Sequence, residues 1–212
     1  YAPRARHVAW LLNLRNRNRL LAGMTEALLG LAADRPLPRW RRDVFDAGTT
    51  SVGPAQGPEV VLFADTFNRS FERENLDAAL SVLVRAGYRV HLPKAADGSA
   101  RGLCCGRTFL SAGLVDEARY ELQRTLDALV PFVRRGIPVV GLEPSCLLPL
   151  RDESLALLPG EDAAALAGKA LLFEEFIAEE AKAGRLKLAL APVAARAARP
   201  RAGSGAAAAA RS

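Results

Sequence analysis

Two adjacent cysteines, Cys104 and Cys105, are followed at once by Gly106, and the third and last cysteine, Cys146, closes a Glu143-Pro144-Ser145-Cys146 run. Adjacent side chains diverge along an extended backbone, and the Cα separation and torsion of a disulfide suit partners further apart in sequence. The pair therefore reads as two thiolates offered to one metal or cluster. The plainer alternative is two small apolar residues, buried and inert. Two carboxylates and an imidazole could join them: Asp65, Glu143 and His91. Each also has an ordinary explanation. Asp65 can cap the turn that follows it, Glu143 can cap a helix beginning near Leu147, and His91 can be a satisfied strand-end residue.

These residues need a scaffold, and the hydrophobic period supplies one. Val60 to Ala64 is a short apolar run of the kind that forms a strand buried on both faces. Glu72 to Ala86 carries Leu76, Ala79, Leu80 and Leu83 at helical spacing, Gly87 ends it, and Tyr88 to Leu92 returns as a strand. The pattern repeats with a helix over Leu110 to Val133, a stop at Gly136 and a third strand over Ile137 to Leu142. Leu147 to Leu158 and Ala163 to Ala183 read as helices, and Leu186 to Leu190 as a fourth strand. Alternation of this kind predicts an α/β fold: a small parallel sheet of three to four strands with flanking helices, preceded by an N-terminal helical segment. Open parallel sheets bind ligands outside the carboxyl ends of their strands. Asp65, His91, the Cys-Cys loop, Glu143 and Cys146 all fall at that edge.

Four regions follow. Residues 1–46 are a helical connecting or docking segment, with leucines and arginines interleaved from Val8 to Leu31 and breakers at Pro36 and Pro38. Residues 47–58 are a turn-rich linker, residues 59–190 the α/β domain, and residues 191–212 an Ala/Arg-rich tail with too little to bury, expected to be disordered.

The chain has 212 residues and a net charge of +6, but the charge is unevenly placed. Nine Arg against Glu26 and Asp34 make residues 1–42 +7, and seven Lys or Arg with no acid make residues 182–212 +7, which leaves −8 for 43–181. Neither basic end interleaves aromatics in a groove, so the charge argues against nucleic-acid binding. Three cysteines are too few for a secreted disulfide scaffold, and no apolar run reaches membrane-spanning length. A reducing cytoplasm, or the cytosolic face of a membrane complex, is the expected location.

Three segments together resemble a known family: Asp65-Thr-Phe-Asn-Arg69, Leu103-Cys-Cys-Gly-Arg-Thr-Phe-Leu110 and Val139-Val-Gly-Leu-Glu-Pro-Ser-Cys146. In order and spacing they resemble the cysteine-rich CCG domain of heterodisulfide reductase subunits and of the glycolate oxidase iron–sulfur subunit. The nearest likeness is to the C-terminal part of FAD-linked D-2-hydroxyacid (D-lactate type) dehydrogenases. The likeness covers residues 59–180. The family pattern is a cysteine, then Cys-Cys, then Cys-x-x-Cys, and here Asp65 and Glu143 stand where two of the five thiolates would be.

The resemblance implies an oxidoreductase component that passes electrons from a flavin toward an acceptor. Cys104, Cys105, Cys146, Glu143 and Asp65 would be metal ligands, with Asn68, Arg69, Arg107 and His91 around them. The cofactor would be an iron–sulfur cluster or, given the two carboxylates, a single zinc or iron ion. FAD would sit in a partner flavin-containing dehydrogenase domain or subunit, since no G-x-G-x-x-G follows a strand here. The family carries two CCG repeats and this chain one, so the chain is expected to be a piece of a longer protein. Arg107, next to the cysteines, is expected to lower a thiol pKa by its charge. A non-catalytic, zinc-stabilised interaction module is the alternative. A cysteine nucleophile would have only His7 and His91 to serve it.

Overall fold

The computed structural model describes residues 5–99 and 101–188. The N-terminal segment forms two short helices, α1 (Ala9–Leu14) and α2 (Arg19–Leu29), with 3-10 turns at Arg6–Val8 and Arg15–Arg17. Asn18 starts α2 by accepting from the Leu20 and Leu21 N–H groups, which would otherwise lack partners. The proline-rich return is held to these helices by amides. Asn13 exchanges two bonds with the Trp40 backbone (2.8 and 2.9 Å), and Asn16 does the same with Leu37 (2.7 and 2.9 Å). Trp40 then packs edge-on against Phe71 at 5.1 Å, and Arg41 pairs with Glu74, which ties the segment to the α/β body.

In chain order the body contains β1 (Ser51–Val52), β2 (Glu59–Phe63), α3 (Thr66–Ser70), α4 (Arg73–Arg85), β3 (Arg89–His91), α5 (Arg107–Ser111), α6 (Val115–Val133) and β4 (Val139–Gly141). It ends with α7 (Pro144–Arg151), α8 (Glu153–Leu157), α9 (Glu161–Ala167), β5 (Ala170–Leu172) and α10 (Phe173–Lys182). The sheet order is β1-β3-β2-β4-β5. β3, β2, β4 and β5 run parallel, with Val60 opposite Val90, Leu62 opposite Val140 and Val140 opposite Leu171, while β1 is antiparallel to β3.

The period-2 alternation divides the core between two faces. Val61, Phe63 and Val139 pack with Leu122, Leu126 and Leu129 of α6 and with Leu147 and Leu150 of α7. Val60, Leu62, Val90 and Val140 pack with Leu76, Ala79 and Leu83 of α4 and Phe176 of α10. β2 is buried from both sides, which is why it reads as an unbroken apolar run.

The expected α/β architecture is present, and the differences are local. The turn-rich stretch 47–58 contributes β1 to the sheet edge. The helix expected over Leu110 to Val133 breaks around Gly113, and that over Leu147 to Leu158 breaks at Asp152. The fourth parallel strand is Ala170–Leu172, inside a stretch read as one helix, because three residues are too short to show a period of their own. Of the strand expected at Leu186 to Leu190, residues 186–188 form none. Leu186 and Leu188 instead pack against the α4 and α10 face, and residues 189–190 lie outside the described part, as does the tail 191–212.

The connections fix where a site can lie. From β2 the chain passes through α4 to β3 on one side, then crosses back through α6 to β4 on the other side of β2. The reversal leaves a crevice outside the carboxyl ends of β2 and β4, the place where open α/β sheets bind ligands.

Candidate functional site

The three thiols meet at that crevice. The Cys104–Cys105 loop is fixed from α6: the Cys104 N–H donates to the Thr125 hydroxyl (3.2 Å), and this hydroxyl donates back to the Cys104 carbonyl (2.8 Å). Thr125 is fully buried, so both bonds are shielded from water. Gly106 turns the loop into α5 with φ +79, and a Cβ there would lie 2.5 Å from the Ala118 carbonyl oxygen, so only glycine fits. The Cys105 thiol faces the Ser145 carbonyl at 3.9 Å and interacts with Cys104 on one side and Cys146 on the other. Cys104 in turn reaches the Thr66 hydroxyl and the Gly106 N–H. Cys105 and Cys146 are buried and Cys104 is partly so.

The two carboxylates act as helix caps. Asp65, 1% exposed, accepts the Phe67 and Asn68 N–H groups on Oδ1 (both 2.9 Å) and the Asn68 side-chain amide on Oδ2 (2.7 Å). Asn68 passes the chain on by accepting from Asn75 at 2.9 Å. Glu143 starts α7, its Oε1 accepting from the Ser145 N–H (3.2 Å) and hydroxyl (2.7 Å).

Burial governs the electrostatics. It raises the Asp65 carboxyl above its ordinary value in spite of the three hydrogen bonds, and the Glu143 charge adds to the rise. The hydrogen bond to Cys105 and burial push the Cys104 thiol well above the ordinary range, against the pull of the Gly106 N–H and the Thr66 hydroxyl. For Cys105 the bond from Cys104 favours the thiolate, but the contact with Cys146 and burial outweigh it, and the thiol is pushed up to about 12. Both thiols stay protonated at neutral pH, which makes them poor nucleophiles. A comparison with family models, with curated proteins and with solved structures returned no match.

Among the described residues no group of three or more His, Cys, Asp or Glu side chains is set out as a metal cage. The donor chemistry divides the expected ligand set. The three sulfurs form a row, Cys104 beside Cys105 and Cys105 beside Cys146, and sulfur is the donor a soft metal or cluster takes, whereas both oxygens of Asp65 already accept backbone and amide protons. Asp65 thus has three of its about four acceptor sites taken by the cap. Glu143 keeps Oε2 outside the capping bonds.

The remaining expected residues lie elsewhere. His91 bonds Glu59 (2.6 Å), which also pairs with Arg135, and its ring packs 5.0 Å from Phe132, so it is occupied near the start of β2. The Arg107 side chain pairs with Glu153, and only its backbone N–H faces the Cys105 sulfur. The expected lowering of a thiol pKa by its charge is therefore replaced by a rise. Arg69 leaves α3 toward Gly102 and lines a separate cavity. Three buried polar residues of α6 escaped the sequence reading: Thr125, which anchors the Cys104 backbone, and Arg124 and Glu121, which pair with each other. The available signal was polar side chains at positions 121, 124 and 125, interleaved with the core leucines 122, 126 and 129.

Proposed function

We propose that this chain is the cysteine-rich, electron-handling part of an FAD-linked oxidoreductase acting on D-2-hydroxyacids such as D-lactate or glycolate. The observation that carries the proposal is the row of three thiols, two from the loop before α5 and one from the first turn of α7, at the crevice where the sheet's connections reverse. Cys104, Cys105 and Cys146 would hold an iron–sulfur cluster or a single zinc or iron ion, with the fourth donor coming from a second CCG repeat. Such a group would supply electron transfer. The chain's own residues position it: Thr125 anchors the Cys104 backbone, Gly106 admits α6, and Asp65 and Glu143 fix the helix starts on either side. Deprotonation of the raised thiols would accompany metal binding.

The flavin-containing domain or subunit would dock on the N-terminal segment, where Trp10, Leu20, Leu28 and Leu29 are 62–80% exposed. The same surface favours the second reading, a zinc-stabilised interaction module without redox activity. No described helix is long and apolar enough to cross a membrane, and the proposed setting is the cytoplasm or the cytosolic face of a membrane complex.

Metal and acid-labile sulfide in anaerobically purified protein test the proposal, alongside Cys104→Ser and Cys146→Ser. Iron with sulfide, lost in both variants, is the expected result. Zinc without sulfide would establish the second reading, and retention of metal in both variants would overturn the site itself.

A further inference from the structure

The cleft on the other side of β2 is built differently. A cavity of about 210 Å³ opens where β2 and β3 end, at Ala64 and Leu92. One wall is the 45–49 stretch and the other is Ser99 with Arg101, Gly102 and Leu103, which lead into the Cys-Cys loop. Arg69, Lys94 and Arg101 line it against a single carboxylate, Asp46. This cationic lining stands out because residues 43–181 together carry −8.

Both walls are held in place. The Phe45 N–H donates to the Arg69 carbonyl (2.9 Å), and Asp46 Oδ1 accepts the Gly48 N–H (3.0 Å), which turns that carboxylate into a loop fastener. The opposite wall hangs on Arg124, 6% exposed, which donates to Asp97 Oδ2 (2.7 Å) and the Ser99 hydroxyl (2.9 Å) while pairing with buried Glu121 (2.9 Å). Arg101 pairs with the same Glu121. A buried ion network adds little net stability, since desolvation offsets the attraction. Its effect here is positional: it holds Asp97, Ser99 and Arg101 beside the cavity.

Size and lining select the ligand. The volume far exceeds the ~30 Å³ share of one water and falls below the ~300 Å³ of sites for drug-sized molecules. The floor is apolar, from Phe45, Ala64 and Leu92, while guanidinium groups at the rim match a carboxylate in geometry and charge. We infer that this cleft binds a small organic acid anion, its carboxylate on Arg69, Lys94 and Arg101 and its short carbon body on the apolar floor. The inference stands on this cleft alone, apart from the electron-handling proposal. Because Leu103 lines the cavity and Cys104 follows it, a bound acid would lie one residue along the chain from the thiols.

Calorimetric titration of the full chain with malonate and with D-lactate tests the site, with neutral lactamide and inorganic phosphate as comparisons. Saturable binding of at least one acid near one equivalent, and none of lactamide, is expected. Lys94→Gln changes an exposed side chain and should weaken binding about tenfold, the scale of one charge-assisted hydrogen bond. Arg69→Gln should weaken it further. Gly102→Ala should do the same without removing a charge, because its Cβ would lie 2.2 Å from Arg69 Nη1. Arg134→Gln, paired with Asp162 on another part of the surface, should bind as the parent does. Failure of both acids to bind, equal binding of lactamide, binding of phosphate alone, or unchanged affinity in Lys94→Gln and Arg69→Gln would each overturn the inference. Metal and sulfide content of the same preparations reports separately on the thiol crevice.

Discussion

The two clefts beside β2 begin at the same strand end and are opposites in construction. On the β4 side, thiols and carboxylates fill the space with hydrogen bonds to one another and to helix starts, so the groups are protonated or capped. On the β3 side, Arg69, Lys94 and Arg101 line an open volume, and Arg101 is held from outside it by Glu121. The difference teaches that position at a strand's carboxyl end provides opportunity alone. What the following residue does decides the rest: Asp65 turns inward to cap α3, whereas Arg69, one turn later, extends toward Gly102.

The sharpest way to break the comparison is to remove Arg124. Arg124→Leu leaves Glu121 buried with a weakened partner set and frees Asp97 and Ser99, and breaking a buried pair of this kind costs about 3–5 kcal/mol. Urea unfolding should show that loss, and acid binding should disappear with it. Gly106→Ala should act on the sulfur side instead. Strain at positive φ costs about 1–3 kcal/mol before the contact with Ala118 is counted, and alkylation of Cys104 and Cys105 in the native state should become faster.

Smaller effects sharpen the assignment. Asp65→Ala removes an N-cap and leaves the Asn68 amide without its acceptor, for a loss of about 2 kcal/mol. Metal content per folded protein should not change, because Asp65 serves as a cap. A ligand role would instead show as lost metal at preserved stability. The smallest effect concerns pH. Hydrogen bonding to Arg124 holds the Asp97 carboxyl well below the usual carboxylate range, helped by the Ser99 N–H. A depressed folded pKa means that its contribution is complete above the ordinary value of about 3.9 and fades as pH falls toward the folded value. The protection factor of the Ser99 amide, its exchange relative to the unstructured rate at the same pH, should therefore fall in acid, and Asp97→Asn should show the lower protection already at neutral pH.

The parts legible in the sequence were those with a repeating or chemically distinctive signal. The unbroken apolar run of β2, the spacing of Leu76, Leu80 and Leu83 in α4, and the Cys-Cys-Gly loop announced themselves. β5 did not, because Ala170-Leu171-Leu172 joins two helical stretches without changing their composition. Asp65 and Glu143 were visible as chemistry and equally as caps, and a single chain offers no means of choosing until backbone geometry does. Arg124 was hidden for a different reason. A long charged side chain on a helix reads as a solvated face, and only its bonds to Asp97, Ser99 and Arg101 make it internal.

The two-residue strand β1 has a consequence of its own. Val52 lies opposite Val90, and the Leu92 N–H donates to the Thr50 carbonyl at 2.9 Å, so the outer backbone of β3 is already occupied. A parallel sheet ending at β3 would offer a bare row of donors and acceptors to any passing chain. The stretch that composition marks as a tether thus serves as a hem, closing the sheet against self-association at the margin where the cationic cleft must stay open to solutes.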